Sequence, residues 1–198
     1  TQQKGHLIVQ KTTIPSGDQT EFTTNLLDSA GNVISSGPVT ESTDKNYEVT
    51  PGTYSVTETV PTGWEQTGNT CTNVAVGAAE TKTCEITNTK YGSITIVKDA
   101  LPNSSQNFDF DFATTGNGLS NFSLDDDNTD ATLSNTKTFN NLSPGSYTVT
   151  EASGDFVSWA LTDLVCTDPS NDSSVDKTNR KANINLAAGE NVTCTYTN

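Results

Sequence analysis

Pro51-Gly52-Thr53-Tyr54-Ser55-Val56-Thr57-Glu58 returns later in the chain as Pro144-Gly145-Ser146-Tyr147-Thr148-Val149-Thr150-Glu151. Pro-Gly marks a turn. The alternation after it sets Tyr and Val on one face of a strand and the hydroxyl side chains on the other. The octet thus reads as a turn followed by a half-buried strand, and its recurrence as a repeated β domain. By the same alternation, Glu58 and Glu151 follow Tyr and Val onto the inward face.

Working outward, three more blocks recur in the same order, which is the signature of an internal repeat. Gly5-His6-Leu7-Ile8-Val9-Gln10-Lys11 matches Gly92-Ser93-Ile94-Thr95-Ile96-Val97-Lys98. Trp64 and Cys71 are spaced like Trp159 and Cys166, and Glu80, Cys84 and Asn88 like Glu190, Cys194 and Asn198. The repeats are residues 1–90 and 91–198. Asn88-Thr89-Lys90-Tyr91-Gly92 leaves almost no linker, so a fairly fixed, extended arrangement of modules is expected, unlike a Gly/Ser tether. Seven or so short strands per repeat predict an all-β chain of two tandem immunoglobulin-like β-sandwiches.

Composition agrees with strands. Only 31% of the 198 residues are hydrophobic, Met is absent, and short β-branched runs alternate with turn residues. That content suffices for two thin cores and not for one broad α/β core. A net charge of −14 opposes nucleic-acid binding and attraction to an anionic membrane surface. No window is long and apolar enough for a transmembrane helix, and no signal segment opens the chain, which reads from Thr1 as a mature or excised piece. Cys71, Cys84, Cys166 and Cys194 form no C-x-x-C pair, and the single His6 lies far from them, so a zinc site is not expected. Two cysteines per repeat at matching places argue for Cys71–Cys84 and Cys166–Cys194 disulfides and an oxidising, extracellular setting. Buried free thiols are the alternative.

The inward polar residues carry the chemistry. Lys11 and Lys98 continue the apolar faces of Leu7-Val9 and Ile94-Ile96, where an ammonium is costly unless paired or neutralised. Asn88 shares a face with Ile86, and Asn198 with Tyr196. Each repeat thus aims one Lys, one Glu and one Asn inward. Desolvation lowers a lysine pKa and raises that of a carboxyl. A neutral amine can attack the Asn carboxamide carbon while protonated Glu polarises its oxygen and shuttles protons. Ammonia leaves and a Lys–Asn isopeptide bond remains. This is one self-modification per repeat, without turnover. A buried Lys–Glu ion pair with Asn hydrogen-bonded beside it fits the pattern equally.

Gly-x-Ile-x-Ile-x-Lys, Pro-Gly-x-Tyr-x-Val-x-Glu and a last strand ending in Asn together resemble the collagen-adhesin B-type, prealbumin-like (SpaA-like) repeats of bacterial surface proteins and pilins. The resemblance spans nearly the whole chain. It implies that Lys11 and Asn88, and Lys98 and Asn198, form intramolecular isopeptide bonds assisted by Glu58 and Glu151. The cysteine pair in each repeat departs from many members of that family, and a disulfide near the last strand could partly duplicate the bond.

Elsewhere, Asp125-Asp126-Asp127-Asn128-Thr129-Asp130 offers hard oxygens of the kind calcium prefers, with Asp125, Asp126 and Asp127 as the candidates. It lacks EF-hand spacing and has no counterpart in repeat one, so a solvated turn is the plainer reading. The Asp168-Pro169-Ser170-Asn171-Asp172 loop is a weaker candidate. No other cofactor is implied. Trp64 and Trp159 recur at one position and read as packing at a sheet edge. No Ser-His-Asp set or phosphate-cradling loop is present. The expected function is a stalk or spacer of a cell-surface adhesin or fibre, with neighbouring repeats of the same protein as partners. A filament subunit forming a homopolymer by β-augmentation and a module binding a carbohydrate or protein ligand on a host or other surface are the rivals.

Overall fold

The computed structural model describes residues 2–103, 109–127, 133–153 and 159–198. Within them every regular element is a strand. The chain forms two compact units, Thr1–Lys90 and Tyr91–Asn198.

Unit one contains β1 (Gly5–Ile14), β2 (Phe22–Leu27), β3 (Val33–Val39), β4 (Lys45–Val49), β5 (Gly52–Thr59), β6 (Trp64–Asn69), β7 (Val74–Val76) and β8 (Thr81–Lys90). They form two four-stranded sheets, in the orders β4-β1-β8-β6 and β3-β2-β5-β7. Unit two contains β9 (Gly92–Asp99), β10 (Phe110–Thr115), β11 (Phe122–Leu124), β12 (Thr136–Leu142), β13 (Gly145–Glu151), β14 (Asp163–Thr167), β15 (Ser174–Asp176), β16 (Lys181–Leu186) and β17 (Asn191–Thr197). Its sheets run β12-β9-β17-β14 and β11-β10-β13-β16-β15. Among the described residues the units hold eight and nine strands against the expected seven or so, because three-residue pieces such as β7, β11 and β15 are too short to leave a periodic signal in sequence.

The same wiring underlies both units. First and last strands lie side by side and parallel, β1 with β8 and β9 with β17. The octet strands β5 and β13 belong to the opposite sheet. Alternation holds along each: Leu7, Val9 and Lys11 are buried on β1, Ile94, Ile96 and Lys98 on β9, and Tyr147, Val149 and Glu151 on β13. Side chains such as Leu7 and Val9, wholly removed from water, each stabilise by about 1.5–3 kcal/mol.

The recurring small blocks have distinct physical roles. The Tyr54 hydroxyl donates to the Thr50 carbonyl at 2.7 Å and the Tyr147 hydroxyl to the Ser143 carbonyl at 2.6 Å, pinning the turn before each octet strand. Glu80 and Glu190 each accept from a backbone N–H three residues earlier, that of Gly77 or Ala187, closing the turn before the last strand. The backbone carbonyls of the same two residues accept from the N–H of His6 and Ser93, which starts each parallel ladder. Glycine precedes that point for lack of room. A Cβ on Gly5 would lie 2.5 Å from the Gly77 oxygen, and one on Gly92 2.6 Å from the Glu190 oxygen.

Both disulfides form within repeats, Cys71–Cys84 and Cys166–Cys194. Cys166 stands directly opposite Cys194 in the β14–β17 ladder. Each bridge ties the segment after the recurring Trp to the last strand. Among the described residues, no helix is long and apolar enough to cross a membrane.

Candidate functional site: two buried Lys-Glu-Asn triads

The parallel register explains how Lys and Asn meet. Lys11 stands opposite Ile86, so Asn88, two residues on, points to the same face one step along. Lys98 stands opposite Tyr196, and Asn198 is again two residues on. Glu58 and Glu151 reach both from the facing sheet.

In repeat one the side chains of Lys11 and Glu58 are fully buried, and Asn88 has no exposed surface. Lys11 Nζ donates to Glu58 Oε2 at 2.5 Å and to Asn88 Oδ1. Asn88 Nδ2 donates to Glu58 Oε1 at 2.6 Å. The ammonium also sits 3.9 Å from the centre of the Phe22 ring. Burial pushes the Lys11 pKa below the ordinary lysine value, against the hydrogen bond and charge of Glu58.

Repeat two is looser. Lys98 Nζ donates to Asn198 Oδ1 at 2.9 Å and to the Tyr196 carbonyl at 3.0 Å, and sits 4.2 Å from the Phe110 ring centre. It is 3.6 Å from Glu151 Oε1, an ion-pair distance too long for a hydrogen bond. Asn198 Nδ2 donates to Glu151 Oε2 at 3.3 Å. Glu151 Oε1 is therefore buried without a hydrogen-bond partner. Burial lowers the Lys98 pKa and raises that of Glu151, each opposed by the charge of the other.

The two triads share one arrangement. The carboxyl bridges two nitrogens, with one oxygen toward the lysine amine and the other toward the carboxamide nitrogen. The sequence reading set Glu against the carboxamide oxygen. In the structure that oxygen instead accepts from lysine, which approaches along the same sheet, and Glu, arriving from the facing sheet, meets the nitrogen.

The aromatic cover escaped the sequence reading. Phe22 and Phe110 each open the second strand of a repeat, a fifth recurring position that aligning those strands would have found. Trp64 lies on the edge strand β6, 6% exposed, with its ring edge-on to Phe22 at 5.3 Å. Trp159 is only half-buried and stands edge-on to Phe110 at 6.2 Å.

The acidic candidates are arranged differently. Asp125 is buried, and Asp126 Oδ2 accepts from the Ala100 N–H at 2.8 Å. Residues 128–130 lie outside the described residues. Asp168 accepts from the N–H groups of Ser170, Asp172 and Ser173, so it faces its own loop. No cluster of three His, Cys, Asp or Glu suited to a metal ion occurs among the described residues.

No curated protein matches the chain in sequence. Among solved structures, the chain is similar to the TIE protein of Bacillus anthracis, with 14% identity and a TM-score of 0.41. The match covers 99% of this chain and 34% of that one, so the chain spans about a third of that protein's length. It is also similar to the major pilin of Streptococcus pyogenes (15% identity, TM-score 0.38, 100% and 98% of the two chains). A single B repeat unit of the collagen-binding surface protein of Staphylococcus aureus is a third (16% identity, TM-score 0.32, 99% and 100%). One family profile described as a prealbumin-like fold domain matches residues 4–96, and another of the same description matches residues 94–198. With more than half of its length matched by the second profile alone, the chain belongs to the prealbumin-like fold domain family, with one such domain in each repeat.

Proposed function

We propose that this chain is a pair of spacer repeats from a cell-surface adhesin or pilus-like fibre, each closed by a Lys–Asn isopeptide bond. The observation that carries the reading is the bridging carboxyl, which in both repeats faces the attacking and the leaving nitrogen at once. Burial shifts the lysine toward its neutral amine. Its Nζ attacks Asn Cγ, Glu accepts the proton given up by Nζ, and the same carboxyl delivers a proton to Nδ2. The Cγ–Nδ2 bond breaks, ammonia departs, and Nζ–Cγ becomes an amide. Contact within a packed core replaces a bimolecular encounter, an advantage on the order of 10⁵ M or more in effective concentration.

The product suits a load-bearing module. It joins parallel first and last strands of one sheet, so pulling on the ends of a repeat loads a covalent bond rather than a ladder of hydrogen bonds. It also removes a buried ammonium, whose ion pair would have to recover its desolvation cost through geometry. The chemistry uses only the chain's own groups, once per repeat, and needs no cofactor. Disulfides fit an oxidising, extracellular location. Neighbouring repeats are the expected partners, and a sedimentation measurement separates a monomeric spacer from a self-assembling subunit.

Intact mass under denaturing conditions tests the reading. The expected mass, after correction for two disulfides, is lower than the sequence mass by two ammonia molecules. Glu58→Ala should restore one ammonia in repeat one alone, and Glu151→Ala one in repeat two alone. Wild-type protein at full mass would leave the buried ion pair as the correct description.

A further inference from the structure

In repeat one a series of contacts runs from the surface to the lysine of the triad. Lys90 Nζ donates to Asp18 Oδ2 at 2.8 Å. The same nitrogen lies 5.4 Å from the centre of the Trp64 ring, and Lys90 pairs with Trp64 in the β6–β8 ladder. Trp64 meets Phe22 edge-on at 5.3 Å, and the Phe22 ring centre lies 3.9 Å from Lys11 Nζ. Asp18 and Lys90 are partly exposed, whereas Trp64, Phe22 and Lys11 are buried.

The outer pair sits where it can hold the triad shut. Asp18 belongs to the loop between β1, which carries Lys11, and β2, which opens with Phe22. Lys90 ends β8, two residues after Asn88. The ion pair therefore ties that loop to the strand of the asparagine. The loop is itself braced. Asp18 Oδ1 accepts from the Thr20 N–H at 2.9 Å and from the Thr20 hydroxyl at 2.6 Å. Glu41 accepts from the Gly17 N–H and, at 2.7 Å, from the Thr13 hydroxyl. The hydrogen bond from Lys90, followed by those from Thr20, holds the Asp18 pKa down to about 2, so the carboxylate stays charged at neutral and alkaline pH.

We infer that Asp18 and Lys90 form a clasp that holds Trp64 and Phe22 over the Lys11 amine and keeps water from it, which makes both of them positioning residues for bond formation in repeat one. The inference rests on the isopeptide reading. Lys11 attacks only as a neutral amine, and burial lowers its pKa against the hydrogen bond and charge of Glu58. A loosened lid admits water, which favours the ammonium and returns that pKa toward the ordinary lysine value. The clasp thus acts on how much of the amine is neutral, not on how Lys11, Glu58 and Asn88 meet. Its effect is largest near neutrality. It vanishes once the pH is high enough to deprotonate the amine with or without the lid.

The test uses the whole chain, taken from synthesis directly into denaturant so that neither triad has reacted. It is refolded with its disulfides at about pH 5, where a lysine amine stays protonated, and then jumped to a series of values up to about pH 10. Peptide mapping follows the Lys11–Asn88 cross-link with time. Asp18→Asn should slow it by about two- to fivefold near neutrality, the range open to a partly exposed ion pair, and the deficit should close toward alkaline pH. Lys90→Met keeps an apolar stem over the Trp64 ring and removes the charge, so it should behave alike. Exchanging the two charges, Asp18→Lys with Lys90→Asp, should restore most of the rate. Added salt should slow the wild type near neutrality and leave Asp18→Asn unchanged, because only the first has a pair to screen. Equal rates in wild type and both single variants would overturn the clasp and leave the isopeptide reading intact. A deficit of one size at every pH would also overturn it, since that is the mark of a disturbed fold and not of a wetted amine. Wild type that never forms the Lys11–Asn88 cross-link would remove the isopeptide reading of repeat one, and the clasp with it.

Discussion

At the scale of the residue, the informative groups are those that simple burial rules place outside. Lys98, Glu151 and Asn198 are at most 5% exposed. Their energetics follow from what remains when one is removed. In Lys98→Met, Glu151 loses the neighbouring charge that opposes its desolvation, so its pKa rises further above the ordinary value of 4.5. The folded state then holds a proton that the unfolded chain has released. Stability is therefore greatest below the ordinary carboxyl pKa and falls as pH rises through the folded one. We expect the melting temperature of repeat two in this variant to drop as pH rises above the ordinary carboxyl range. Lys98→Met with Glu151→Gln should be flat over the same rise, because no buried acid is left to ionise. A single-variant profile without slope would show that Glu151 stays solvated.

At the scale of the element, the parallel pairing of first and last strands is set up by a single close approach. Gly92→Ala would drive a methyl group against the Glu190 carbonyl and the Leu186 side chain. Backbone cannot yield as a side-chain tip can, so a loss of about 1–3 kcal/mol is expected in denaturant melts. Gly5→Ala should cost a similar amount in repeat one. The disulfide acts on another loop. Replacing Cys166 and Cys194 by Ser removes the covalent tie between β14 and β17, leaves their ladder in place, and should cost roughly 3–4 kcal/mol by the chain-entropy account. The ammonia lost from repeat two should be unchanged in that variant, since Asn198 is positioned by the β9–β17 ladder and not by the bridge. A bond that fails to form without the disulfide would mean that β14 helps to place Asn198.

At the scale of the whole molecule, each unit has its own core. The buried apolar cluster of unit two draws on residues 94–196, and the clusters of unit one on residues 7–86. Residues 1–90 and 91–198 expressed separately should each fold, form their own disulfide and lose their own ammonia. Mass spectrometry and thermal melts of the two fragments check this. A fragment that melts non-cooperatively would show that its core is incomplete alone.

Much of this was legible in the sequence because strands impose a period of two. Leu7-Val9-Lys11 and Tyr147-Val149-Glu151 reveal their inward faces without coordinates, and the repetition of four blocks reveals two domains. Periodicity is a property of one strand, so it names which residues face inward and not which of them meet. That the first and last strands lie parallel, so that Asn88 falls one step beyond Lys11, depends on long-range pairing with no local signature. The placement of each Glu on the carboxamide nitrogen depends on the facing sheet.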